Sequence, residues 1–121
     1  MNILIVDDSG AMRSIVRRML RLAGFSGHTI QEASNGAEAL NLVKQSQPDL
    51  VMCDFNMPEM NGLQLLEDLR KKGISARFGF ITSEASTALK DAAKAAGAIF
   101  VITKPFTPEV FQEVLAPVLS G

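Results

Sequence analysis

Three aspartates, a threonine and a lysine recur at one kind of place in this sequence of 121 residues: just past a short apolar run. Asp7 and Asp8 follow Ile3 to Val6, Asp54 follows Leu50 to Cys53, and Thr82 follows Phe78 to Ile81. Lys104, with Pro105 behind it, closes the run Ala98 to Ile102. Carboxylates gathered at one edge repel one another unless a cation lies between them. A small all-oxygen donor set suits a hard divalent ion, and Mg2+, which keeps several of its waters, fits two or three carboxylates. A lysine offsets charge on phosphoryl oxygens, a hydroxyl donates to them, and a carboxylate can attack phosphorus in line. The combination therefore points to a site that accepts a phosphoryl group. Each residue alone has a plainer role: Asp8 or Thr82 as a helix cap or turn residue, Lys104 as a solvated cation. The same pattern at four run ends favours the joint reading.

Such a site needs elements that bring those ends together. Continuous apolar runs, as opposed to alternating ones, mark strands covered on both faces, as in parallel sheets. Thr29 to Ala33 is a fifth and more polar run, which suits an edge strand. Between the runs the period becomes helical. Met12, Ile15, Val16, Met19, Leu20 and Ala23 form one face, and Gly24 supplies a stop. Asn35 with Glu38 reads as a variant capping box before Leu40 and Val43. Leu63, Leu66 and Leu69 make a third stripe, and Leu89, Ala92, Ala93 and Ala96 a fourth. The fifth opens on Thr107 as N-cap with Pro108 and Glu109 behind it, and carries Val110, Phe111, Val114, Leu115 and Val118. Pro117 suggests a kink or an early end there. Five βα units predict an α/β fold, a doubly wound open parallel sheet with helices on both faces. In such folds ligands bind at the carboxyl ends of the strands, where the polar residues lie.

Composition narrows the function further. A chain of this length suits one domain spanning 1–121 and buries about 65% of its unfolded surface. Thirteen acidic and twelve basic residues give a net charge of −1, which argues against a general nucleic-acid binder. A lone cysteine, Cys53, excludes an internal disulfide framework. No apolar stretch approaches the roughly 20 residues of a membrane span, and Ile3 to Val6 stops at two aspartates instead of forming a signal peptide. The expectation is a cytoplasmic protein without a membrane or nucleic-acid partner.

Asp7-Asp8, the segment Asp54-Phe55-Asn56-Met57-Pro58-Glu59-Met60-Asn61-Gly62, Thr82-Ser83-Glu84 and Lys104-Pro105-Phe106 closely resemble the receiver domain of bacterial two-component response regulators. Asn56, Glu84 and the lack of sequence after the fifth helix make the chain most similar to the single-domain chemotaxis type. The resemblance implies the strand order 2-1-3-4-5. It implies Asp54 as phosphoacceptor, Asp8, Asp54 and the backbone carbonyl of Asn56 as direct Mg2+ ligands, and Asp7 as a ligand mainly through water. Thr82 and Lys104 would contact the phosphoryl oxygens, the Lys104–Pro105 bond would be cis, and Asn56 and Glu84 would tune access of the hydrolytic water. The donor would be a histidine kinase or phosphotransfer protein. A protein target would dock on the face of the fourth helix, fifth strand and fifth helix. The chain would then be a phosphoacceptor with self-catalysed transfer and dephosphorylation, not a turnover enzyme. An alternative is a phosphate sink or relay intermediate without its own output. A weaker one is an aspartyl-nucleophile phosphatase, which wants Asp-x-Asp after the first strand and a cap domain. A nucleotide or flavin carrier is discarded: the Asp7 to Met12 loop is acidic with one glycine, and Trp and Tyr are absent.

One departure from the family concerns the switch. A phosphoryl group adds nearly two negative charges and three acceptors. Thr82 can move toward it, and in the family an aromatic three residues before the lysine then turns inward. Here that position is Val101, while Phe100 should point to the other face of its strand. Output is therefore expected to rely on a shift of the alanine-rich fourth helix (Ala85, Ala88, Ala92, Ala93, Ala96). Asn61, where many relatives carry Asp, should cap the third helix equally well. Arg13, Arg17, Arg18 and Arg21 read as a solvated basic face that can also help dock a donor. Cys53 reads as core, and His28 as a rim residue.

Overall fold

Each apolar run becomes a strand and each helical pattern a helix. The computed structural model describes residues 1–57, 59–84, 86–104 and 106–119. In chain order these are β1 (Asn2–Val6), α1 (Gly10–Leu22), β2 (Thr29–Ala33), α2 (Gly36–Gln45), β3 (Leu50–Asp54), α3 (Gly62–Lys71), β4 (Arg77–Thr82), α4 (Thr87–Ala95), β5 (Phe100–Thr103) and α5 (Pro108–Leu119). All strand pairings are parallel, in the order β2-β1-β3-β4-β5. The polar run is indeed an edge strand. Among the described residues no helix is long and apolar enough to cross a membrane.

Strand parity divides the core in two. Leu4, Val6, Val51, Cys53, Phe78 and Phe80 face α2, α3 and α4 with Ala39, Val43, Leu65, Leu66, Leu69 and Ala93. Ile3, Ile5, Leu50, Met52, Ile81 and Ile102 face α1 and α5 with Val16, Leu20, Phe111 and Leu115. Successive side chains of a strand point to opposite faces, so an unbroken apolar run supplies both layers. The crossovers then put two helices on one side and three on the other.

Several local expectations shift. β5 starts at Phe100 instead of Ala98 because α4 ends in a turn centred on Gly97, at φ +104. There Gly97 N–H bonds the Lys94 carbonyl and Ala98 N–H the Ala93 carbonyl, which spends Ala98 on closing the helix. Gly24, at φ +96, closes α1 in the same way. Pro117 does not end α5, which runs on to Leu119; a proline in the last turn deletes a single backbone bond, and Leu119 is buried behind it. Ile15 lies on the outer shoulder of α1 and is 41% exposed. Ala92 is exposed, and Leu65 joins the α3 stripe. Asn35 caps α2 by accepting from Glu38 N–H, but the Glu38 carboxylate bonds Ser34 Oγ at 2.9 Å, so the box is half formed. The complete capping box is at α3, between Asn61 and Gln64.

Candidate functional site

Register builds the site. The β1–β3 ladder ends with Val6 beside Cys53, so one step further Asp7 and Asp54 are neighbours. The β4–β5 ladder ends with Thr82 beside Thr103, and Lys104 N–H then bonds the Thr82 carbonyl at 2.7 Å. One carboxylate oxygen from each of Asp7, Asp8 and Asp54 lies within 4.8 Å of the others. Asp7 is buried, Asp54 half-buried and Asp8 exposed. Burial holds the Asp54 carboxyl above the usual carboxylate range, aided by Asp7 and Asp8, while Lys104 and the backbone N–H of Asn56 work against it. Asp7 is raised too, by burial first and then by Asp8; a hydrogen bond from Ser9 N–H at 2.9 Å and the charge of Lys104 oppose the shift. Lys104 thus reaches both carboxylates by its field. It is in none of the ion pairs within 4.0 Å among the described residues, which are Arg13–Glu32, Arg17–Glu32 and Lys72–Asp68.

Thr82 is fully buried, and its hydroxyl accepts from Glu84 N–H at 3.1 Å. The Glu84 carboxylate accepts from Ser86 Oγ at 3.2 Å, and Ser86 Oγ in turn accepts from Leu89 N–H, capping α4. A continuous polar chain therefore joins the buried hydroxyl to the start of that helix. Behind Asp54 the packing is tight: a Cβ at Gly62 would lie 2.5 Å from the Asp54 carbonyl and 2.7 Å from the Phe80 ring. Gly62 N–H bonds the Phe55 carbonyl, fixing the loop that returns from Asp54 into α3.

All of Asp7, Asp8, Asp54, Thr82 and Lys104 are at the strand ends expected of them, with exposed Asn56 and Glu84 at the rim. Val101 packs half-buried on the α4 side and Phe100 on the other. The Phe100 ring covers Gly79 so closely that a Cβ there would fall into it, so this aromatic serves the opposite layer. Pro105 and Ala85 lie outside the described residues, and with them the Lys104–Pro105 bond and one alanine of the α4 set. Cys53 is fully buried, its thiol pushed well up by burial and by Asp54 and Asp7, which removes it as a nucleophile.

The sequence did not reveal Arg13 as part of the site. Its Nη1 donates to the Asp7 carbonyl at 2.5 Å and its Nε to Glu32 at 2.8 Å, so it is a buttress and not a solvated cation. That role depends on the β1–β2 register, which leaves no local signature. The Ser9 and Ser86 caps could have been read, each a serine three residues before the N–H it accepts.

This sheet, with its ring of aspartates, lysine and threonine, belongs to a defined class. Residues 3–116 match the response regulator receiver domain, and the chain belongs to that family. Receiver domains bind Mg2+ at an acidic cluster of the kind formed by Asp7, Asp8 and Asp54. A chemotaxis protein CheY homolog from Campylobacter jejuni is 39% identical over 123 aligned positions, covering 99% of this chain and 93% of the relative. The chemotaxis protein CheY4 of Vibrio cholerae superposes with a TM-score of 0.85 at 32% identity, covering 98% of both chains. A receiver domain protein from Clostridium thermocellum, 21% identical with a TM-score of 0.84, shares the fold.

Proposed function

We propose that this receiver accepts a phosphoryl group on Asp54 from the phosphohistidine of a histidine kinase or phosphotransfer protein, and signals by phosphorylation-dependent protein binding in a cytoplasmic chemotaxis pathway. The observation that carries this is the oxygen-only cluster of three carboxylates facing Lys104 and the buried Thr82 hydroxyl. The donor set fits Mg2+: it is hard, anionic and without a thiolate or imidazole. Asp8, Asp54 and the Asn56 carbonyl would hold the ion directly and Asp7 through water. Bound there, it supplies positive charge to the phosphoryl oxygens.

An Asp54 oxygen attacks phosphorus as the bond to the donor nitrogen breaks, and the electron pair leaves with the imidazole. Lys104 offsets charge on the transferring group. Thr82 can donate its hydroxyl proton to a phosphoryl oxygen while still accepting from Glu84 N–H, because a hydroxyl both donates and accepts. Asn56 and Glu84 stand at the rim, where they control the approach of water to the aspartyl phosphate. One phosphoryl group is taken and lost per cycle, so the chain is a phosphoacceptor with self-catalysed steps and not a turnover enzyme.

Movement of Thr82 pulls on the Glu84–Ser86 chain and hence on α4, an output route that needs no aromatic at Val101. The target would dock where α4 meets β5 and α5, beside a groove of about 340 Å3 lined by Lys90, Lys94, Ile99 and Val101. Unchanged α4 amide shifts on binding a phosphoryl analogue would sink that route. The phosphoacceptor assignment is tested by intact mass after incubation with acetyl phosphate, with and without Mg2+. One added phosphate that needs Mg2+ and is absent from Asp54→Asn is expected; the same adduct on Asp54→Asn would overturn the assignment.

A further inference from the structure

A second polar cavity lies on the outer side of the sheet, between the C-terminal half of α1 and the start of β2, at the end of the strands away from the carboxylates. It is a half-open hollow of about 180 Å3, lined by Arg17, Arg21, Phe25, Ser26, His28 and Ile30. That volume suits a small ion and is below the range of pockets for drug-sized ligands. Its polar lining is two guanidinium groups, a hydroxyl and an imidazole, with no carboxylate among the six.

Two further observations mark it as more than a basic surface. His28 Nδ1 is enclosed yet has no hydrogen-bond partner, the one such side-chain atom among the described residues. An enclosed polar atom without a partner costs free energy, and a turn of the imidazole that brings Nδ1 into the cavity would let a ligand restore it. The arginines are also available. Arg21 is in none of the ion pairs among the described residues, and Arg17 shares Glu32 with Arg13. Arg13 holds one Glu32 oxygen at 2.8 Å while Arg17 sits 3.3 Å from the other and donates to the Ile30 carbonyl at a long 3.5 Å, so Arg17 can turn to a ligand without leaving Glu32 unpaired. The Phe25 ring, 6.2 Å from the His28 ring between centroids, forms an apolar wall beside these donors.

We infer that the Arg17–Arg21–His28 cavity is a binding site for a phosphate dianion, free or carried by a small monoester. Guanidinium forks match tetrahedral oxyanions with paired hydrogen bonds, and the Ser26 hydroxyl and a turned His28 imidazole can add donors. The site is independent of Asp54.

The test is a titration of the 15N-labelled full chain, kept free of metal so that the carboxylate site repels anions, with inorganic phosphate and with glycerol phosphate as separate arms. Saturable shifts are expected at the Phe25 to Ile30 amides, His28 Nδ1 and the side-chain nitrogens of Arg17 and Arg21. Arg21→Gln should weaken binding about tenfold or more, as should Arg17→Gln, whereas Arg18→Gln, on the same helix but outside the cavity, should not. Tighter binding of the monoester would identify an ester as the ligand class, and equal or weaker binding the free ion. Shifts that do not saturate, that chloride reproduces at matched ionic strength, or that Arg18→Gln weakens as much as Arg21→Gln would overturn the inference. All three arginines face solvent, and each variant's own spectrum reports its folding.

Discussion

Replacing Asp54 by Asn should make the metal-free protein more stable. Asp7 and Asp54 carry carboxylate oxygens no more than 4.8 Å apart. Two unit charges at that distance repel by about 0.9 kcal/mol in bulk water and about 3.5 kcal/mol at an effective dielectric of about 20. Asp7 is 4% exposed and Asp54 half-buried, which sets the pair between those limits, and the attraction of Lys104 returns part of the cost. A net gain of about 1–2 kcal/mol follows for Asp54→Asn, a rise of about 0.5–1 M in the urea midpoint at the slope usual for a small domain. Mg2+ should reverse the ranking of the responses. At about 100 times its dissociation constant a ligand adds about 2.7 kcal/mol to the wild type, and the variant, left with two carboxylates, should gain much less.

The pH dependence has a definite sign. Both carboxyls are raised in the fold, so their protonated forms favour it. Their contribution is full below the unfolded carboxylate value of about 3.9 and is lost as pH rises through the higher folded values. Between about pH 4 and pH 7, metal-free wild type should therefore lose stability relative to Asp54→Asn. Urea unfolding in EDTA and in Mg2+ at both pH values measures all of this. An Asp54→Asn protein less stable than wild type in EDTA at neutral pH would refute the reasoning.

Gly62→Ala forces a Cβ against the Asp54 carbonyl and the Phe80 ring, and should cost about 1–3 kcal/mol by urea unfolding. Unlike a surface change, it should also slow phosphoryl uptake, because the backbone of the acceptor has to give way. Ser86→Ala removes the α4 cap and should cost about 1 kcal/mol, with faster amide exchange confined to the first turn of that helix. Arg13→Gln and Glu32→Gln, singly and together, should show a coupling of about 0.5–1.5 kcal/mol in a double-mutant cycle, since both partners are half-sheltered. Additive losses would mean that the Asp7 carbonyl contact alone carries the Arg13 effect.

Strand identity and layer were legible because parallel strands covered on both faces need unbroken apolar runs. Phe78 to Ile81 could be little else, and parity alone set Phe100 against Val101. The carboxylate cluster followed once the strand ends were aligned. Features that depend on pairing between distant segments were not legible. Arg13 looks like its neighbours on α1 until β2 brings Glu32 beside it, and nothing near His28 tells that a cavity forms around it. The start of β5 was missed for a local reason: Ala98 and Ile99 are apolar enough for a strand, but the Gly97 turn uses Ala98 to finish α4.

Cys53 is the single cysteine of the sequence, fully enclosed on the strand that ends in Asp54. A thiol reagent can reach it only when the helix layer over that face lifts or β3 parts from its neighbours. Its labelling rate is then the product of an opening equilibrium and a fixed chemical rate, so long as closing is faster than reaction. A metal ion that draws the three carboxylates together also ties down the end of that strand and lowers the opening equilibrium. The buried thiol is thus a native gauge, with no dye or tag added, whose slowing records how strongly occupation of the site beside it suppresses that opening.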